Sequence, residues 1–153
     1  MKLKQGPGKQ ECALSASTYR YLMTIARRSG ASGVRARIFI RHGDAIALVK
    51  SRGGGKFHLL PSCGIHPEAD GEEMEEEIRK AAARAGLDAV RITRYMGSRS
   101  HGEEQITKCF DFEAIADGRG GDVFWAGKTQ LATLEIPEEE KRAVASYFRK
   151  GQF

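Results

Sequence analysis

No apolar run in this chain approaches the roughly 18–20 residues that a membrane-spanning helix needs. The opening stretch, Met1 to Gln10, carries lysine and glycine where a secretory leader would carry an apolar segment. Cysteine is scarce: Cys12, Cys63 and Cys109 form an odd, widely spaced set with no CxxC pair and no zinc-like spacing to the four histidines. There is no internal repeat, no linker that would divide the chain, and no basic/aromatic motif of a nucleic-acid domain. These absences speak against a membrane protein, a secreted cystine-rich miniprotein and a fibrous repeat. They fit reduced thiols in a cytoplasm.

What is present reads as one globular domain. The chain has 153 residues, of which 41% are hydrophobic and 29% charged, enough to bury a core without disulfides or metal. Lysine and arginine number 25 against 20 acids, for a net charge of +5. That balance favours an anionic partner, a phosphorylated small molecule or a nucleic acid, over a membrane. The alternative is a solvated basic surface with no partner.

Residues 1–10 read as a flexible tail and 11–153 as a single domain. Ser17 is placed to cap a helix whose Tyr19, Leu22, Met23 and Ala26 recur at helical spacing, with Gly30 as its stop. Val34–Ile40 alternates apolar and polar at first, as a half-buried strand does, and His42-Gly43-Asp44 turns it back into Ala45–Val49. Gly53–Gly55 is a loop, Phe57–Leu60 a short strand, and Ser62–Gly71 a loop by composition. Glu72–Ala85 reads as a helix with acids first, cations last and Gly86 as its C-cap. Strands follow at 89–97 and 105–114, joined by a polar loop Ser98–Glu104, then a turn and a strand at 122–126. Pro137 opens a last helix. This order points to the α+β class, an α/β/α sandwich with a mixed sheet flanked by helices.

The segment Ala45–Leu87 resembles the Nudix family. That family's box is G-x5-E-x7-R-E-U-x-E-E-x-G-U, with U apolar. Gly86-Leu87 match its end, Arg79 its arginine and Ala81 its apolar position. Gly71-Glu72 resembles the Gly-Glu turn and Pro61-Ser62-Cys63-Gly64 the Pro-Gly-Gly segment. Trp125, Gln130-Leu131 and the closing helix extend the likeness over about residues 34–150. The resemblance implies a Nudix-like mixed sheet and the cleavage of a nucleoside diphosphate linked to a second group, with Mg²⁺ or Mn²⁺ as cofactor. It also implies that Arg79 is structural, pairing with Glu72 or Glu68.

The box is degenerate. At the three positions where the family places its metal-binding glutamates, this chain has Lys80, Ala83 and Arg84. The spacing from Gly64 to Arg79 is one residue longer than the box allows. A divalent ion held on a diphosphate needs hard anionic oxygens, and two of the three replacements are cations.

Three functional readings follow. In the first, metal-dependent hydrolysis is lost and the fold binds a nucleotide, another phosphorylated ligand or a partner. Phosphate would be held by Lys80 and Arg84, four residues apart on α-helical spacing, with Arg52 and Lys56 from the glycine-rich loop. No cofactor is then needed. In the second, the acids have relocated: Glu73, Glu76 and Glu77 hold Mg²⁺ or Mn²⁺, and Glu76, Glu77 and Glu103 serve catalysis. This set lies about 10 Å back along the helix from the box positions, at about 1.5 Å per residue. The same acids are equally accounted for as a solvated helix start favoured by the helix dipole. In the third, the protein is a basic RNA- or protein-binding module. A narrower likeness joins Cys63-Gly64-Ile65-His66-Pro67 to the Cys-Gly-His-Pro of isopentenyl-diphosphate isomerases. Ile65 interrupts that motif, and Gln105 stands where that branch has a glutamate, which an amide cannot replace as a base.

Overall fold

The alternation in β1 (Gly33–His42) organises the molecule. Val34, Ala36, Ile38 and Ile40 pack on one face of the sheet, against α1 (Ala16–Arg28) and α2 (Gly71–Arg84). Phe39 packs on the other, against α3 (Glu138–Lys150). The computed structural model describes residues 14–50, 58–87 and 90–150. The other elements are β2 (Ala45–Lys50), β3 (His58–Leu59), β4 (Ser62–Ile65), β5 (Val90–His101), β6 (Thr107–Ala116), β7 (Phe124–Gly127) and a 3-10 turn at Lys128–Thr133. The result is an α+β sandwich with a mixed seven-stranded sheet between helices. No helix among the described residues is long and apolar enough to cross a membrane.

The sheet runs β3-β2-β1-β6-β5, with β4 on β1 and β7 on β2. β1 and β6 are parallel from Gly33–Thr107 to Arg41–Ile115, and the other pairings are antiparallel. One edge of β1 serves two partners. Val34–Arg37 pair with β4, while β2 holds only Arg41 and His42. Between these contacts the Ile38 amide donates to the Pro61 carbonyl at 2.8 Å. β2 therefore splays away from β4, and the splay opens a cleft.

Several expectations are met and several corrected. The hairpin turns at Gly43, whose φ of 62° suits glycine. Gly86, with φ 81°, follows the C-terminal end of α2. The N-cap position of the first helix is Ser15, whose side chain makes no capping bond, and Ser17 lies within the first turn. Ser62–Ile65, expected as loop, is β4, because the backbone groups on that edge of β1 need partners and Cys63 and Ile65 alternate inward. Most of the expected loop Ser98–Glu104 belongs to β5, which runs to His101 in register with Thr107. The 1–10 tail, Gly53–Gly55 and Cys12 lie outside the described residues.

The α1–α2 contact depends on Gly71. A Cβ there would lie 2.8 Å from both the backbone nitrogen and Cγ of Arg20. Backbone cannot yield as a flexible tip can, so Gly71→Ala should separate the helices and destabilise the protein by about 1–3 kcal/mol. The midpoint of urea unfolding checks this. An unchanged midpoint would mean that α1 shifts at no cost.

Candidate functional site

The cleft opened by the splay has a volume of about 1080 Å³ and lies between β2, β3, β4 and the C-terminal half of α2. Ala81 and Ala85 form its helical wall, and their short side chains leave room beside Arg84. Arg35 enters from β1 and Lys50 from β2, so three cations face one carboxylate, Asp122. Arg35 Nη2 donates to Ser62 Oγ at 3.0 Å. Among the described residues neither Arg35 nor Arg84 has a carboxylate partner.

Cys63 lines the same cleft as Arg35 and Arg84. Burial pushes its thiol up to about 11, opposed by Arg84, reinforced by Glu77 and opposed more weakly by Arg35. Arg84 and Glu77 on α2 and Arg35 on β1 therefore all act on this thiol. The thiol stays protonated at neutral pH, which suits a packing role.

None of the acids of α2 lines the cleft, although Glu77 acts on the Cys63 thiol that does. Asp70 Oδ1 accepts from the Glu73 amide at 2.8 Å and Glu73 Oε1 accepts from the Asp70 amide at 3.1 Å, a capping box that fixes the helix start. Glu76 is exposed, Glu77 lies 3.5 Å from Lys80 Nζ, and Glu103 sits on the exposed turn between β5 and β6. Arg79 bonds Glu75 at 2.6 Å, not Glu72 or Glu68, because residues four apart on one helix face meet directly. Among the described residues no three His, Cys, Asp or Glu side chains gather as a metal-holding group. The cleft's donor set, one carboxylate among three cations, does not fit a divalent ion.

Of the expected phosphate contacts, Arg84 lines the cleft, whereas Lys80 is 54% exposed and turned to Glu77. Arg52 and Lys56 lie outside the described residues. His66 Nδ1 accepts from the Glu68 amide at 3.1 Å, closing the turn before α2, and Gln105 is exposed.

Sequence reasoning missed Arg35 and Lys50, and it missed a second cavity of about 330 Å³ on the α3 side of the sheet. There Arg37 grips Asp111 through Nε at 3.0 Å and Nη2 at 2.8 Å, while Arg99 Nη1 reaches both Asp111 oxygens at 2.9 Å. Glu140 accepts from the Leu60 amide at 2.8 Å, and burial lifts its carboxyl above the usual range. The available signal was the run Arg35-Ala36-Arg37, whose arginines share the face of Phe39 and so lie on the α3 side.

Sequence comparison finds no matching family model and no matching curated protein. Solved structures do match. A NUDIX-family hydrolase from Clostridium perfringens superposes with a TM-score of 0.61 at 14% identity, over 77% of this chain and 97% of the other. A NUDIX hydrolase from Nitrosomonas europaea gives 0.58 at 11%, over 79% and 91%. A MutT protein from Bacillus halodurans gives 0.52 at 12%, over 79% and 85%. Identities this low speak for architecture and not for chemistry. The splayed mixed sheet, the cleft beside α2 and these superpositions together establish that the chain has the Nudix fold.

Proposed function

We propose that the protein binds a phosphorylated small molecule of the nucleoside-diphosphate type in the α2 cleft, through arginines in place of a metal–carboxylate centre, and does not hydrolyse it. The observation that carries this reading is the convergence of Arg84 and Arg35 on a cleft whose α2 wall is otherwise alanine. Guanidinium groups suit phosphate oxygens, because they donate two parallel hydrogen bonds and stay charged at any physiological pH. The likeness to hydrolases supports the substrate class, and the replaced box glutamates support the loss of turnover. Binding of a soluble metabolite fits a cytoplasmic location.

Calorimetry with pyrophosphate and ADP-ribose, in EDTA and again in Mg²⁺ or Mn²⁺, tests this, with phosphate release followed in the same samples. The expected result is equal affinity with and without metal, and no release. Metal-dependent turnover that disappears in Glu76→Gln/Glu77→Gln would overturn the reading in favour of a hydrolase with relocated acids. Strongly salt-dependent RNA binding with no small-molecule binding would favour the basic-module reading instead.

A further inference from the structure

We infer that the outer face of α1 and α2 is a docking surface for a second copy of this chain, in which Tyr21 and the cations of α1 in each copy meet the exposed acids of α2 in the other. This does not rest on the proposed function, and it stands or falls without the cleft.

The first argument is open charge of both signs on one face. The sequence of α1 carries Arg20, Arg27 and Arg28 and no acid. Arg27 Nη1 donates to the Ala69 carbonyl at 3.3 Å. Among the described residues neither Arg20 nor Arg28 has a carboxylate partner. Beside them the first half of α2 exposes Glu72, Glu73 and Glu76. Glu73 is held in the capping box by Asp70, but Glu72 and Glu76 have no cation partner among the described residues. Glu75 and Glu77, by contrast, are taken by Arg79 and Lys80 within the helix.

The second argument is Tyr21. It is 64% exposed, the one large hydrophobic side chain so exposed among the described residues. It stands directly beside Arg20, and one heptad before Arg28, on the outward side of α1. Tyrosine and arginine are the residues enriched at the centres of protein interfaces, where the ring is removed from water and the hydroxyl finds a partner.

The third argument decides the occupant. Arg27 lies at Ala69, Arg20 lies against Gly71, and the charges of Glu75 and Arg79 act on Tyr19, so α1 and α2 run in opposite directions side by side. A two-fold axis along the seam between them lays α1 of each copy over α2 of the other. At the height of Gly71, Arg20 and Tyr21 then meet Glu72 of the second copy, and the symmetry makes the same match twice. A nucleic acid or an anionic membrane would be drawn to α1 and repelled by Glu72, Glu73 and Glu76 next to it. The area sets the strength. Helices of 13 and 14 residues, at about 1.5 Å per residue and about 10 Å apart, present a face of about 400 Å². A stable interface buries about 800 Å² per partner, so this dimer is weak and depends on its charges.

Sedimentation velocity of the full chain, from about 1 to about 300 µM, tests this. The wild type should dimerise reversibly with a dissociation constant of about 10–100 µM, and raising salt from about 50 to about 500 mM should weaken it at least about tenfold. Tyr21→Ala, Arg20→Glu and Glu72→Arg should each be monomeric over this range, with unchanged far-UV circular dichroism. An equimolar mixture of Arg20→Glu and Glu72→Arg should dimerise again, because each chain then offers the other two opposite-charge pairs. That recovery separates pairing between copies from damage within one. A wild type that stays monomeric at the highest concentration would overturn the inference. So would a dimer that survives both charge reversals or the higher salt, which would use another surface, or a mixture that stays monomeric. Binding of a single-stranded RNA oligonucleotide by a monomeric wild type, lost in Tyr21→Ala, would assign the face to RNA and overturn it as well.

Discussion

Arg84→Glu should abolish pyrophosphate binding, lowering affinity by more than about 100-fold, whereas Lys80→Glu should leave it nearly unchanged. A hydrogen bond from a charged group contributes about 1.5–3 kcal/mol, so losing a bidentate guanidinium alone costs about 10–100-fold. Glutamate then places like charge against the diphosphate, which adds to the loss. Arg84 spends nothing on a carboxylate in the described protein, so its full donor set is available to a ligand. Lys80 is different: it is half exposed, 3.5 Å from Glu77, and outside the cleft wall. Surface pairs of that kind contribute about 0–1 kcal/mol, and its reversal is screened by solvent. The double variant should therefore behave like Arg84→Glu alone. Arg35→Gln should weaken binding in the same direction as Arg84→Glu, by about tenfold. Calorimetry on variants of unchanged far-UV circular dichroism measures all four. Equal losses from Lys80→Glu and Arg84→Glu would mean that the ligand lies on the outer face of α2, and the cleft assignment would be wrong.

The contrast between these two residues was legible in the sequence, though the expectation paired them. The apolar stripe of α2 is Met74, Ile78, Ala81, Ala82 and Ala85. Arg84 lies at the border of that stripe, and Lys80 about 40° farther round at about 100° per residue. The i, i+4 spacing puts both on one side of a helix, but the roll of the helix decides which one reaches a cleft. That roll is set by burial of the stripe. The hairpin, α2 and α3 were legible for the same local reasons: the alternation that opens Val34–Ile40, turn chemistry at Gly43, and the charge order and glycine end of α2. β4 was not, because its stability comes from Val34–Arg37, far away in sequence, while its own composition is that of a loop. The α3-side cavity was hidden for a related reason. Arginines at alternating strand positions read as solvent-facing, and the partner that makes Arg37 tolerable inside is Asp111, on a strand that is remote in sequence.

That partnership yields the largest stability effect expected here. Asp111→Ala should destabilise the protein by about 3–5 kcal/mol, the range for breaking a buried ion pair from one side. The cost is less the lost attraction than the charge left behind: Arg37 would stay inside with Nε and Nη2 unpaired. Arg99 suffers less, since it is partly exposed and keeps Glu139 at 3.2 Å. Arg37→Met/Asp111→Leu removes both charges and fills the space with apolar atoms, and it should recover most of the loss, because such pairs roughly balance attraction against desolvation. Urea unfolding of the single and double variants gives both numbers. A loss below about 1 kcal/mol in Asp111→Ala would mean that Arg37 swings out to water.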